Sequence, residues 1–275
     1  MALSIPGLTV ALIGIFDDIK PVKSSVRFCL HILATTAGLL ILPELPQISI
    51  GEITLKLDGW GLPFAVFAVV WLINLFNFMD GIDGIAGVEF ITVLLSGAIL
   101  LGLLGNERHS QFLIMACAPT LGFLLWNWPP AKIFMGDGGS GFLGLMLGLG
   151  GLYICAQTEL TLWAWAILVA VFVVDASWTL IVRIATGQDW LQPHRSHAYQ
   201  RLALYIGSHT PVTIGVLLIN LLWLLPMAWL AMRHPDMAEW VTLGAYLPLL
   251  LLCALNKAGT CSIANPIIPI GHKDK

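Results

Sequence analysis

Nine apolar runs, each separated from the next by a short polar stretch, leave this chain few ways to fold. They cover 1–16, 26–43, 61–77, 85–105, 111–126, 141–157, 160–182, 210–232 and 240–256. A run of about 20 apolar residues matches the hydrocarbon thickness of a bilayer, and 1–16 is slightly short of it. No water is available there to pair with the backbone, so such runs must be helical. Only 11% of the 275 residues are charged and 58% are hydrophobic. A soluble chain carries roughly 25% charged residues, so this one lacks the polar surface to cover itself. The expected fold is therefore all-α, a polytopic integral membrane bundle of about nine transmembrane helices in one membrane-embedded domain over 1–275. The exception is 48–60, I-S-I-G-E-I-T-L-K-L-D-G-W, which alternates and contains Gly51. That pattern predicts a small extracytoplasmic β-hairpin. The sixth run is rich in glycine (Gly141, Gly144, Gly148, Gly150, Gly151), which favours close helix–helix approach. Five cysteines without C-x-x-C spacing read as packing residues.

Charge sets the orientation. If the loop at Asp17 is cytoplasmic, alternation puts 77–85, 127–140, 183–209 and the C-terminal tail on the same side. Lys20, Lys23, Arg27, Lys132, Arg183, Arg195, Arg201, Lys257, Lys273 and Lys275 then face the cytoplasm, with only Lys56, Arg108 and Arg233 opposite. Ten against three obeys the positive-inside rule. The net charge of −3 is small, and no nucleic-acid partner is expected.

The same assignment gathers every polar cluster onto one face. Asn74–Gly87, N-L-F-N-F-M-D-G-I-D-G-I-A-G, places Asp80 and Asp83 beside Asn74 and Asn77. Ionised groups next to a bilayer-length run are costly unless used. Asp17 and Asp18 are adjacent carboxylates; their repulsion suits one of them to act as a base or nucleophile, and a solvated helix end is the bland alternative. Phe134–Ser140, F-M-G-D-G-G-S, follows Asn127 and a Pro129–Pro130 turn. One Asp among glycines suits a Mg²⁺–pyrophosphate site, with free amides at the next helix's start turned to phosphate oxygens. His194, Arg195, His197 and Arg201 form a cationic patch suited to phosphate. Asp175 lies inside the seventh run and is expected to face the bundle interior, as a functional group or a bonded structural acid. Glu89, early in the fourth run, is a weaker candidate of the same kind.

Taken together, D-D at 17–18, N-x-x-N-F-M-D-G-I-D-G at 74–84, F-M-G-D-x-G-S at 134–140 and H-R-x-H-x-Y-Q-R at 194–201 resemble the polyprenyl-phosphate N-acetylhexosamine-1-phosphate transferases. The last motif is closer to the O-antigen and exopolysaccharide branch than to the peptidoglycan branch, which is similar but usually carries a histidine run there. The resemblance implies transfer of a sugar-1-phosphate from a UDP-N-acetylhexosamine to undecaprenyl phosphate, with UMP released, at the cytoplasmic face of a bacterial inner membrane. It implies Mg²⁺, or Mn²⁺ in its place, held around Asp137 with Asn77. It further implies Asp17 as the base supported by Asp18, Asp175 at a family acidic position, and Asn74, Asp80, Asp83, Asn127, His194, Arg195 and His197 around the substrates. Membrane lipid and a second copy of the chain are the remaining expected partners. The family usually has about two spans and a polar loop ahead of its D-D motif. The chain is accordingly expected to be a fragment or mis-started reading frame, or a genuinely short relative, active or inactive.

Two rival readings make different expectations. An ion-coupled transporter requires acids near the bilayer midplane and a repeat between halves; the acids here gather at one face and no such repeat is seen. A pseudoenzyme would have lost its base or metal residue, yet Asp17 and Asp137 are both present.

Overall fold

The computed structural model describes residues 3–51, 53–189, 192 and 194–260. Lys273 and Lys275, named above, lie outside the described residues, as does one of the five cysteines, Cys261. Twelve α-helices are present among those described: α1 Ser4–Ile19, α2 Ser24–Ile41, α3 Leu62–Met79, α4 Ile85–Leu103, α5 Glu107–Asn127 and α6 Gly136–Gln157 come first. They are followed by α7 Leu162–Leu168, α8 Ala170–Ala185, α9 Ala198–Ile206, α10 Thr210–Ile219, α11 Leu225–Arg233 and α12 Ala238–Leu255. A π-turn at Asn220–Leu224 joins α10 to α11. The expected hairpin is present, β1 Gln47–Ile50 pairing antiparallel with β2 Ile53–Lys56.

The count of nine spans is not reached. Among the described residues, seven helices are long and apolar enough to cross a membrane, or eight if a bent pair counts as one span. The first expected span is α1, whose 16 residues extend about 24 Å at 1.5 Å per residue, short of the roughly 30 Å hydrocarbon core. The expected seventh span is not one straight helix: α7 and α8 meet at Val169 with a 73° bend. Large apolar side chains such as Phe64, Phe67, Leu125, Leu247 and Leu251 face outward along the spans, as a lipid-facing surface requires.

The glycine stripe of α6 organises the first half of the bundle. A methyl group at Gly144 would lie 2.5 Å from the Leu72 carbonyl of α3, and one at Gly148 would lie 2.8 Å from Val69. On another side, a methyl at Gly14 of α1 would meet the Gly138 backbone at 2.3 Å. Backbones this close exclude any larger residue, the small-residue packing that holds membrane helices together. At Gly151 the space is filled by Trp165 of α7, whose indole Nε1 donates to the Leu147 carbonyl at 3.1 Å. The opposite end of the bundle carries the hairpin, where Trp163 donates to the Ser49 carbonyl at 2.7 Å and Gln157 to Glu44 at 2.9 Å. The ends of α1, α3 and α5 and the starts of α2, α4 and α6 therefore converge at the other face, with all the polar motifs.

Candidate active site

Two arms of that face are built differently. The first is held by one cation. Arg27, in the first turn of α2, places the same guanidinium nitrogen, Nη1, on Asp17 Oδ2 and, at 2.7 Å, on Asp137 Oδ2. Asp17 Oδ1 also accepts from the Val22 backbone at 2.6 Å, which folds the 20–23 turn around the carboxylate. Asn77, at the end of α3, hydrogen-bonds the Asp137 side chain. Asp17, Asn77 and Asp137 are thus brought together, as the motifs suggested. Arg27 was only a nearby charge in the sequence, because nothing in a ten-residue separation from Asp17 shows that α1 and α2 double back against α6.

Asp18 does something else. Its Oδ1 accepts from the Asp137 backbone at 3.0 Å and its Oδ2 from the Gly138 backbone at 3.4 Å. It therefore caps the start of α6, where a carboxylate also complements the helix dipole. The amides expected to be free for phosphate are those that Asp18 occupies, and α6 begins at Gly136 rather than at 141. Gly136 adopts φ +66°, and a side chain there would lie 2.6 Å from Asp18; glycine meets both demands.

Around this centre lies an open cleft of about 370 Å³ lined by Asn77, Asp80, Asp83, Asn127, Asp137 and His209, with Phe134 and Met135 on its wall. Burial, then the charges of Asp137 and Asp83, push the Asp80 carboxyl up to about 7. Asp83 faces His209, with Nδ1 3.3 Å from Oδ2, and accepts from the Ala131 backbone at 3.0 Å. His209 was missed in the sequence, as a lone histidine before the eighth run. Asn127 lines the cleft but spends its amide on the backbone, accepting from Gly84 at 3.0 Å and donating to the Ile133 carbonyl at 2.8 Å. Gly84 turns at φ +77°, the left-handed conformation that starts α4. Asn74 is not among the lining residues; it donates to the Val70 carbonyl of its own helix at 2.7 Å.

The second arm is the 194–201 segment, and Asp175 holds it. One Asp175 oxygen accepts from the Ala198 backbone at 2.9 Å, the other from Tyr199 at 3.0 Å, and His197 Nδ1 lies 3.3 Å away. Asp175 is therefore a buried cap for α9 and does not line the cleft, so it touches no position where reacting atoms would sit. His197 is buried against it. Burial, then the neighbouring His197 and Arg183, press the His194 imidazole down to about 4, so His194 is uncharged at neutral pH. Of the expected cationic patch, Arg195 is the exposed charge while Arg201 is half-buried in α9.

Tyr199 joins the two arms, its hydroxyl donating to the Phe78 carbonyl at 2.9 Å, two residues before Asp80. This contact explains Gly81. A methyl there would lie 2.2 Å from the Tyr199 hydroxyl and 2.8 Å from Gln200 Nε2. Gly81→Ala is expected to destabilise the protein by about 1–3 kcal/mol through overpacking. Adding Tyr199→Phe, which removes the clashing oxygen, restores part of that loss. Thermal unfolding of the single and double variants checks the coupling; additive losses would show that the two residues do not meet.

The donors present at the centre fit Mg²⁺. Among the described residues no three His, Cys, Asp or Glu side chains close a cage. Asp137, Asn77 and Asp80 offer an open set, and Mg²⁺ is typically held by one or two carboxylates with substrate phosphates and waters completing its shell. Asp80, whose ionisation its acidic neighbours oppose, is the kind of group that a bound cation relieves.

The sequence model of glycosyl transferase family 4 matches residues 1–156. The chain is 30% identical over 231 residues to the probable undecaprenyl-phosphate N-acetylglucosaminyl 1-phosphate transferase of Bacillus subtilis, covering 81% of this chain and 63% of that protein. It is also 30% identical over 188 residues to the phospho-N-acetylmuramoyl-pentapeptide-transferase of Caulobacter vibrioides, covering 55% of this chain and 50% of the relative. A shorter segment of 53 residues is 58% identical to the enzyme of that name in Streptomyces coelicolor, covering 19% of this chain and 13% of the relative. The chain thus spans less than two thirds of the length of these relatives.

Proposed function

The chain belongs to glycosyl transferase family 4, and from that premise we propose that it transfers N-acetylhexosamine-1-phosphate from a UDP-sugar to undecaprenyl phosphate. UMP is released, and the product starts a cell-envelope polysaccharide of the O-antigen type. The observation that carries this reading is Arg27 joining Asp17 to Asp137, which lines a cleft shared with Asp80 and Asp83. Phosphoryl transfer between two anions depends on positioning and on neutralising charge, and little else is asked of the protein. A lipid acceptor and a water-soluble donor can meet only at the bilayer surface, and the charge distribution supports the cytoplasmic one.

In this scheme an oxygen of the lipid phosphate attacks the β-phosphorus of the UDP-sugar. The bond from that phosphorus to the bridging oxygen breaks, and the electron pair leaves with UMP. Asp17, fixed by Val22 and Arg27, takes the proton of the lipid phosphate. Arg27 steadies the anions on either side of it, since guanidinium binds phosphate oxygens well. Asp137 and Asn77 hold Mg²⁺, with Asp80 beside them, and the ion supplies positive charge to the pyrophosphate when bound. Asp18 keeps Asp137 in place through the first turn of α6, and Arg195 meets the donor's phosphates from the second arm. The phosphomuramoyl-pentapeptide alternative is favoured by the name of the Caulobacter relative, and the absence of a histidine run at 194–201 weighs against it.

Purified protein in detergent is tested with sugar-labelled UDP-N-acetylglucosamine and undecaprenyl phosphate, then with other UDP-N-acetylhexosamines and UDP-N-acetylmuramoyl-pentapeptide. Label extracted into butanol with Mg²⁺ and not with EDTA is the expected result. No lipid-linked label from any donor would overturn the reading.

Asp80 gives this site a pH signature. A carboxyl whose folded value, about 7, exceeds its unfolded value near 3.9 binds more protons folded than unfolded between those limits. Stability therefore falls as pH rises from about 4 to 7, and the penalty is complete above about 7. In EDTA, thermal unfolding of the wild type is expected to move lower between pH 5 and 8. Asp80→Asn loses this part of the slope, and an unchanged slope would contradict the assignment.

A further inference from the structure

Glu89 is a fully buried acid that the scheme above does not use. It sits one turn into α4, inside a span, and two interruptions of regular helix meet around it. Asn220, the first residue of the π-turn between α10 and α11, donates through Nδ2 to Glu89 Oε2 at 2.7 Å and to the Thr92 hydroxyl at 2.6 Å. The backbone amide of Phe172, third residue of α8 just past the bend at Val169, faces the same carboxylate. That end of α8 is where the helix dipole is positive and favours an acid. Among the described residues, Glu89 Oε1 and Asn220 Oδ1 have no side-chain or backbone hydrogen-bond partner. Polar groups this deep are expensive in an apolar setting and persist where they fix a conformation, and π-turns recur at functional sites.

What the cluster fixes follows from what α8 carries. Asp175 lies three residues beyond Phe172 on α8 and caps α9, and α9 docks Tyr199 on Phe78 beside the cleft. The angle at Val169 therefore sets where the 194–201 arm lies relative to the carboxylate centre. We infer that Glu89 and Asn220 are positioning residues that latch the α7–α8 bend and through it place the 194–201 arm against the cleft. They touch no reacting atom. Their consequence for catalysis rests on the transferase reading, whereas the latch itself does not.

The test measures geometry and kinetics separately. Spin labels at two outward-facing positions, Leu103 of α4 and Ile181 of α8, are placed in full-length protein whose native cysteines are replaced. Their distance distribution is recorded by double electron–electron resonance. Glu89→Leu is expected to shift or broaden the distribution, and Glu89→Gln, whose side-chain oxygen accepts from Asn220 Nδ2 as Glu89 Oε2 does, to restore the wild-type one. Asn220→Ala repeats the displacement from the partner side if Glu89→Leu does not fold. In the transfer assay the KM for the UDP-sugar is expected to rise about tenfold in Glu89→Leu while kcat stays within about threefold, an energy of about 1.4 kcal/mol at the donor-binding arm. Unchanged distances in both Glu89→Leu and Asn220→Ala would overturn the latch, as would a Glu89→Gln variant as displaced as Glu89→Leu. If the wild type shows no transfer with any donor, the distance measurement still decides the latch and the transferase reading alone fails.

Discussion

Asp137→Asn is expected to lower phospho-sugar transfer by about 10³-fold, roughly 4 kcal/mol of lost transition-state stabilisation, with little change in thermal unfolding. The asymmetry comes from how the residue is held. Its backbone N–H, and not its side chain, meets Asp18 at the start of α6, so asparagine leaves that cap in place. What the substitution removes is the negative charge shared by Arg27, the Asn77 amide and the proposed ion. Hydrogen-bond donors and cations aimed at a developing charge are worth most in a site shielded from water. A variant retaining more than a tenth of the wild-type rate would remove Asp137 from the chemistry. A variant that unfolded would show that the charge holds the fold.

Arg27→Ala is expected to reduce the rate by about 10²-fold, roughly 2.7 kcal/mol of lost transition-state stabilisation. Here one guanidinium nitrogen serves Asp17 and Asp137 at once, so its loss leaves two carboxylates facing each other. Arg27→Lys is expected to recover only a small part of the rate, because a strongly hydrated ammonium on a flexible stem is not held in place by a rigid planar group. Steady-state rates of the three proteins at saturating substrates decide this. Full rescue by lysine would mean that Arg27 contributes charge alone.

Much of this arrangement was legible in the sequence, and the limits have physical causes. The apolar runs and the glycine stripe of α6 foretold spans and close packing, because a bilayer leaves no other solution for such segments. Length marked the first run as slightly short of a crossing, but it did not show that the seventh run bends at Val169. An apolar run reads the same whether its helix is straight or broken. At the site, adjacent carboxylates drew attention to Asp17, and acids beside glycines to Asp80 and Asp137. Their partners Arg27, His209 and Tyr199 were hidden, because each is brought in from a distant helix. Asp175 and Asn127 show the opposite failure. Both are polar groups in the right motifs, yet their side chains are consumed in holding α9 and the 80–84 turn. Residue type and spacing cannot separate a carboxylate that binds substrate from one that caps a helix.

The most direct test follows two atoms of the donor at once. UDP-N-acetylhexosamine carrying ³²P in the β-phosphate and ³H in the sugar is incubated with the protein, undecaprenyl phosphate and Mg²⁺, and the nucleotide product is separated. Equal amounts of both labels in the lipid, with UMP released and neither label transferred by Asp137→Asn, is the expected result. Tritium in the lipid without ³²P, with UDP released, would mean that the sugar moves without its phosphate and would contradict phosphoryl transfer at this cleft.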